Sequence, residues 1–264
     1  MLELNGIHKT FNIGTVNEKK ALIDLNLKVE EGDFITVIGG NGAGKSTMLN
    51  IIAGVFAPEQ GKIVIDGVDV TKMPEFKRAS MVGRVFQDPM VGTAGNMSIE
   101  ENLALANRRG KRRGLGWGVK KNEREDFKGK LKMLDLNLED RLTTKVGLLS
   151  GGQRQALTLL MATLIKPKVL LLDEHTAALD PKTASKVLSL TEELTSGQKI
   201  TTIMITHNMK DAIKYGNRLV MMMGGSIIYD VKGEEKAKLT VQDLLAKFEQ
   251  SSGGEFANDR MLLG

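Results

Sequence analysis

Four glycines fall within six residues at Gly39-Gly40-Asn41-Gly42-Ala43-Gly44, and this run constrains the fold more than any other. Neither a helix nor a strand holds so many residues without side chains, so the run is a loop. Before it stands Phe34-Ile35-Thr36-Val37-Ile38, short, β-branched and without polar alternation, which predicts a strand covered on both faces. After it, Lys45 to Ala53 carries a helical pattern that Gly54 closes. Strand, glycine loop and helix in that order are the context that Gly39-x-x-x-x-Gly44-Lys45-Ser46 needs to act as a P-loop. The glycines let successive N–H groups turn inward around phosphate oxygens, and the helix start adds its partial positive charge. Lys45 offers a full charge to the β and γ phosphates, and Ser46 offers a hydroxyl to Mg²⁺. The candidate nucleotide-binding segment therefore runs from Gly39 through Thr47.

The rest of the 264 residues follows the same architecture. Val169-Leu170-Leu171-Leu172-Asp173 and Thr201 to Thr206 read as two more buried strands of a parallel sheet covered by helices. Leu22 to Val29 alternates apolar and polar residues, and Ile63 to Ile65 precedes an Asp66-Gly67 turn, so an antiparallel β part is expected near the N-terminus. The stretch 93–165 reads as an inserted helical subdomain, with helical patterns at Glu100 to Asn107 and Glu123 to Leu136. Thr240 to Asp243 resembles a capping box that opens Leu244 to Glu249, and Ser251 onward reads as a tail. The expected fold is α/β: a P-loop NTPase core with a parallel sheet flanked by helices, an N-terminal antiparallel β part and the inserted helices. It makes one domain over 1–250 and a tail over 251–264.

Composition removes several other classes. Without cysteine there is no disulfide scaffold, thiolate metal site or cysteine nucleophile. Three histidines, His8, His175 and His207, are too few for a multi-histidine metal centre. Met1-Leu2-Glu3-Leu4-Asn5 does not read as a signal peptide, and no apolar run approaches the roughly 18–20 residues of a membrane helix. The net charge of +5 is local. Seven bases and no acid lie between Arg108 and Lys121, and without them 30 bases face 32 acids. A nucleic-acid partner, which needs a basic face spread over the domain, is not expected.

A second motif narrows the P-loop reading. Leu149-Ser150-Gly151-Gly152-Gln153 precedes an apolar helix, and Asp173-Glu174 closes a buried strand 20 residues after Gln153. With Gly39 to Ser46, this order and spacing resembles the ATP-binding-cassette ATPases over Leu2 to Tyr229. On its own, Ser150-Gly151-Gly152 is a helix start with amides and a hydroxyl, hence either a second anion site or a Ser-capped helix and nothing more. The resemblance implies a head-to-tail dimer of two cassettes, with ATP between the P-loop of one copy and Ser150 to Gln153 of the other.

Asp173 stands at the carboxyl end of a buried strand, where α/β sheets bind ligands, and a carboxylate there can hold Mg²⁺. The resemblance makes Glu174 the general base for the attacking water. It makes His207 a contact of the γ-phosphate that orients this water, and Gln87 a contact of Mg²⁺ and water whose loop meets a membrane partner. Asp180, in Ala177-Ala178-Leu179-Asp180-Pro181, matches the family's loop across the dimer interface and also reads as a helix N-cap before Pro181. Phe11 matches the aromatic that stacks on adenine, or is a core residue of an edge strand. His175 departs from the small residue or proline of the family and reads as a surface variation. The basic stretch, with Trp117, reads as a solvated loop; docking to anionic headgroups or to an acidic loop is the sharper alternative.

The resemblance implies an ATP-hydrolysing subunit of a membrane transporter, closest to bacterial importers of amino-acid-like small solutes. It implies ATP and Mg²⁺ as cofactors, and separate transmembrane permease subunits, a second cassette copy and a solute-binding protein as partners. The place of action is the cytoplasmic face of the cell membrane, as a peripheral subunit. The alternative is a soluble cassette ATPase driving a cytosolic assembly such as iron–sulfur cluster assembly. A nucleic-acid-handling cassette and a small-molecule P-loop kinase rank below both.

Overall fold

The computed structural model describes residues 1–111 and 118–252. Arg112, Arg113, Trp117 and the tail from residue 253 lie outside the described residues. The chain divides into two compact units, one made of residues 1–78 and 199 onward, the other of Ala79–Gln198.

The first unit begins with an antiparallel sheet. Strands β1 (Leu2–Phe11), β2 (Lys19–Val29), β4 (Gln60–Ile65) and β5 (Val68–Asp69) lie in the order β2-β1-β4-β5. The alternation in β2 sets the register: Val29 pairs with Leu2 and Leu27 with Leu4, so the apolar side chains share one buried face. β3 (Phe34–Ile38) is buried at every position because it has a strand on each side. It runs parallel to β8 (Thr201–Ile205) and β9 (Arg218–Met223), and β10 (Ser226–Lys232) returns antiparallel to β9. Helix α1 (Lys45–Ala53) follows β3 through the glycine loop, α2 (Glu75–Arg78) closes the N-terminal segment, and α7 (Met209–Lys214) follows β8. α8 (Glu234–Ala237) and α9 (Val241–Ser252) complete the unit. Ile38, Met209, Leu219, Met221, Leu244 and Phe248 share one of its apolar clusters, which fastens α9.

The second unit has two parallel strands, β6 (Val82–Val85) and β7 (Val169–Asp173). Its helices are α3 (Ile99–Asn107), α4 (Lys121–Lys132), α5 (Gly151–Thr163) and α6 (Pro181–Gly197). Ser98 opens α3 through a reciprocal capping box with Glu101, and Ser150 opens α5 the same way with Gln153. Between residues 93 and 165, the described elements are helices and a short 3₁₀ turn at Val146–Leu148.

Several boundaries move from the sequence expectation. α4 starts at Lys121 and stops at Lys132, because Asp135 and Asn137 take left-handed backbone and end the helical run before Leu136. The capping box at Thr240 is present, Asp243 Oδ2 accepting from the Thr240 amide at 2.8 Å. α9, however, continues through Ser251 and Ser252, the first two residues of the expected tail. The basic stretch is not a run of free cations: Arg108 pairs with Glu123 at 3.1 Å, and Arg109 turns inward.

Candidate functional site

The glycine loop is a tight turn seated on other backbone. Gly44 stands at the N-cap of α1 with φ 99°, a left-handed conformation that glycine adopts without strain. A Cβ there would lie 2.5 Å from the Ala21 carbonyl oxygen, so β2 leaves no room for a side chain. The Ala43 amide donates to Gly40 at 3.2 Å, and the Gly225 amide to Ala43 at 3.1 Å, fixing the loop from inside and outside. Lys45 is 6 % exposed, and its Nζ donates to the carbonyls of Gly39 at 2.7 Å and Gly40 at 3.1 Å. The ammonium is thus folded over the loop it belongs to. Ser46 and Thr47 lie in the first turn of α1. No acidic side chain occupies that turn, which keeps the amide end of the helix attractive to anions.

Phe11 ends β1 beside this unit's loop 12–18. It is half-buried, meets Phe56 edge-on at 5.3 Å between ring centroids, and lies 5.5 Å beneath Lys9 Nζ. β1 lies between β2 and β4, so the edge-strand reading of Phe11 is corrected: the strand is interior, and Phe11 stands at its partly exposed end. The same unit carries His207, exposed just after β8. The turn behind it is rigid, because Asn208 Oδ1 accepts from the amides of Lys210 and Asp211 and opens α7. Lys236, 2 % exposed, donates to the Ile213, Tyr215 and Gly216 carbonyls at the far end of α7.

The second unit carries the remaining residues. β7 delivers Asp173 at its carboxyl end, half-buried, with Arg84 Nη2 at 3.4 Å from Oδ2. Arg84 is also stacked over Phe86, its guanidinium carbon 4.5 Å from the ring centroid. Gln87 follows Phe86 and is exposed. Buried Gln155 of α5 donates from Nε2 to the Phe86 carbonyl at 3.3 Å. Asp173, Arg84, Phe86 and the backbone before Gln87 therefore form one connected cluster. Sequence reasoning missed Arg84; the available signal was a charge inside an otherwise apolar strand, which needs a partner.

Glu174 turns the chain away from β7 with φ 47°, left-handed and uncommon for a non-glycine residue. His175 then points inward rather than to the surface, which corrects the surface reading. It is 2 % exposed, and its Nε2 lies 3.1 Å from Thr191 Oγ1 in α6. The Thr191 hydroxyl donates to the Val187 carbonyl at 2.8 Å, so its oxygen accepts and the His175 Nε2 carries the proton. Burial pushes the His175 imidazole down to about 4.

Asp180 caps α6, accepting from the Thr183 amide at 3.1 Å, with Pro181 at the first helical position. The Thr183 hydroxyl and amide hold its carboxyl below the usual range. Ser150 Oγ accepts from the Gln153 amide at 3.3 Å, and Gln153 Oε1 from the Ser150 amide at 3.2 Å. Ser150 and Gly151 are exposed, whereas Gly152 is buried against α6: a Cβ on it would stand 2.2 Å from Thr183 Cγ2. The Ser-capped helix start is therefore realised, and it presents Ser150 and Gly151 to the surface.

Comparison with known proteins gives concordant matches. The ABC transporter family matches residues 22–177. A tyrosine transport ATP-binding protein of Clostridioides difficile (strain R20291) is 44% identical over 249 residues, covering 94% of this chain and 99% of that protein. The methionine import ATP-binding protein MetN of Vibrio vulnificus (strain YJ016) is 35% identical, covering 93% of this chain and 67% of that protein. Among solved structures, the dimeric post-hydrolysis state of the ATP-binding cassette MJ0796 bound to ADP and Pi is similar with a TM-score of 0.76. The identity there is 30%, over 88% of this chain and 98% of that one.

Proposed function

The chain belongs to the ABC transporter family of ATP-binding cassettes, which bind and hydrolyse ATP, and on that premise we propose that it powers a membrane importer of an amino-acid-like small solute. The observation that carries the solute class is the nearly end-to-end match, at 44% identity, to a tyrosine transport ATP-binding protein. Among the described residues no helix is long and apolar enough to cross a membrane. The pore in this reading belongs to separate permease subunits, with the cassette on their cytoplasmic face and a solute-binding protein delivering the cargo. The working form is two copies in a head-to-tail dimer. Each copy is one cassette domain over 1–250, whose helical part spans 93–165.

The residues fit a nucleotide with its metal. Four of the six loop residues from Gly39 to Gly44 carry no side chain, the loop's lysine is buried beside it, and Phe11 offers a half-buried ring. Mg²⁺ favours one or two oxygen ligands from protein together with phosphate oxygens and water, and Ser46 and Asp173 suit that need. The metal would neutralise charge that develops on the transferred phosphoryl group. Lys45 and the amides of Gly39 to Thr47 bind the phosphates, and Phe11 stacks on the base. Arg84 fixes one carboxylate oxygen of Asp173 and, through Phe86, the loop that carries Gln87. Glu174 accepts the proton of the attacking water, while His207 and Gln87 orient that water. Ser150 to Gln153 and Asp180 act on the partner copy's nucleotide.

Two experiments test this reading. Glu174→Gln should leave ATP binding intact, stop turnover and trap an ATP-dependent dimer; turnover at the parent rate removes Glu174 as the base. Gentle detergent purification of the tagged chain from its own cells should bring a stoichiometric polytopic membrane protein. A soluble complex without one replaces the importer by a cytosolic-assembly ATPase.

A further inference from the structure

The two helices that open on the candidate phosphate segments both close on an inward-turned arginine. At the end of α1, Arg78 is 1 % exposed. Its Nη1 donates to the Ile51 carbonyl at 2.6 Å and the Ile52 carbonyl at 3.1 Å. Its Nε and Nη2 donate to Met73 at 2.8 Å and Thr71 at 3.1 Å. Ile51 and Ile52 belong to the last turn of α1, whose carbonyls have few helical partners; the Gly54 amide also donates to the Ile51 carbonyl at 3.2 Å. The seat is shaped for the guanidinium: a Cβ on Gly54 would stand 2.8 Å from Arg78 Nε. At the end of α5, Arg109 Nη2 donates to the Ala162 carbonyl at 3.1 Å and the Ile165 carbonyl at 2.6 Å. Burial holds both guanidinium groups below the ordinary arginine range. Every hydrogen bond just named ends on a main-chain carbonyl rather than a carboxylate. A buried charge is costly, and either helix could have ended on water or a glycine cap alone.

We infer that Arg78 and Arg109 are positioning residues for ATP, each placing a fixed positive charge on the carbonyl end of a helix whose amide end meets phosphate. A helix carries partial negative charge at its carboxyl end, which opposes the attraction of an anion at the other end. A guanidinium there cancels that opposition and adds its own pull along the axis, about 13 Å for the nine residues of α1. It also holds the last turn in place, so the helix start keeps its aim. The assignment of the two helix starts rests on the proposed cassette reading. The two arginines then act on different nucleotides. Arg78 serves the ATP held by its own chain, and Arg109 serves the ATP of the partner copy, met by Ser150 to Gln153.

The test uses the full 264-residue chain in the Glu174→Gln background, with Met and Lys at each arginine. Three quantities are measured: fluorescent-ATP affinity of the monomer, adenosine affinity of the monomer, and ATP-dependent association by sedimentation. Arg78→Met should weaken monomer ATP binding about three- to tenfold while adenosine binding stays within about twofold. Arg109→Met should leave monomer ATP affinity within about twofold and raise the ATP concentration needed for association about three- to tenfold. The Lys variants should recover most of each loss. Met variants that change neither quantity overturn the inference. So do losses that fall equally on ATP and adenosine, or Lys variants no better than Met, since those outcomes describe packing alone. If Arg78→Met does not fold, Arg78→Gln is compared with Arg78→Lys by the same ATP-to-adenosine ratio. A parent chain that binds ATP yet never associates refutes the cassette dimer itself, a result separate from any arginine effect.

Discussion

His175 should give the fold a measurable weakness to acid. The imidazole is 2 % exposed, neutral, and donates through Nε2 to Thr191. In the folded chain burial pushes it down to about 4, against an ordinary value of 6.5 once the chain unfolds. Because the folded value is the lower one, the unfolded chain binds more protons between these limits. The stabilisation is complete above pH 6.5 and is lost as the pH falls toward 4. The whole gap is worth about 3 kcal/mol, and the part crossed between pH 7.5 and pH 5.0 about 2 kcal/mol. For a chain of this length that is about 4 °C in Tm. His175→Gln keeps a donor of similar reach toward Thr191 and does not titrate. Urea unfolding of parent and variant at both pH values isolates the histidine, because every other group titrates in both proteins. The parent should lose about 2 kcal/mol more than the variant over this interval. Equal losses, within about 0.5 kcal/mol, would refute a buried neutral imidazole beneath α6.

Three further outcomes are expected. Lys45→Ala should abolish binding in a fluorescent-nucleotide titration, and normal binding would sink the assignment of Gly39 to Thr47. Ser150→Arg should spare ATP binding by the monomer and block ATP-dependent association in the Glu174→Gln background; sedimentation as a dimer would disprove the role of Ser150. Gly152→Ala should destabilise the fold by about 1–3 kcal/mol, because the new methyl meets Thr183 Cγ2 at 2.2 Å. Thr183→Ser should restore part of that loss in thermal unfolding, and a Gly152→Ala chain as stable as the parent would show that α6 yields freely.

Local chemistry made the core of the fold legible. The glycine loop, the strands Phe34–Ile38 and Val169–Asp173 and the helix Lys45–Ala53 have the expected bounds because periodicity and breakers specify them without distant partners. Ser150 and Asp180 cap their helices because such caps bond within three residues. What escaped depends on contacts far along the chain. His175 looks like a loop residue until α6, sixteen positions later, supplies Thr191. Arg84 gains its meaning from Asp173, 89 residues away, and Arg109 from carbonyls more than 50 residues away. β9 and β10 went unread because Leu219-Val220-Met221-Met222-Met223 suits a buried helix as well as a strand; its pairing with β3 decides. Phe11 could not be placed from its own strand, since whether β1 is interior depends on β4.

The first unit is discontinuous, and this gives it an order of assembly in time. β3 emerges from the ribosome early, five residues with no exposed position in the finished fold. Both of its parallel neighbours, β8 and β9, lie beyond the 120 residues of Ala79–Gln198. At about 5–20 residues per second, their synthesis takes on the order of 6–24 s. During that interval β1, β2 and β4 can close their antiparallel sheet, and the second unit, continuous in sequence, can fold as it appears. β3 meanwhile offers two unpaired apolar edges, the kind of segment that recruits chaperones or a wrong partner. Moving the chain's ends to the junction near residue 199 by circular permutation would bring β8 and β9 ahead of β3. Such a rearranged chain should reach the native state with less aggregation at the same final stability.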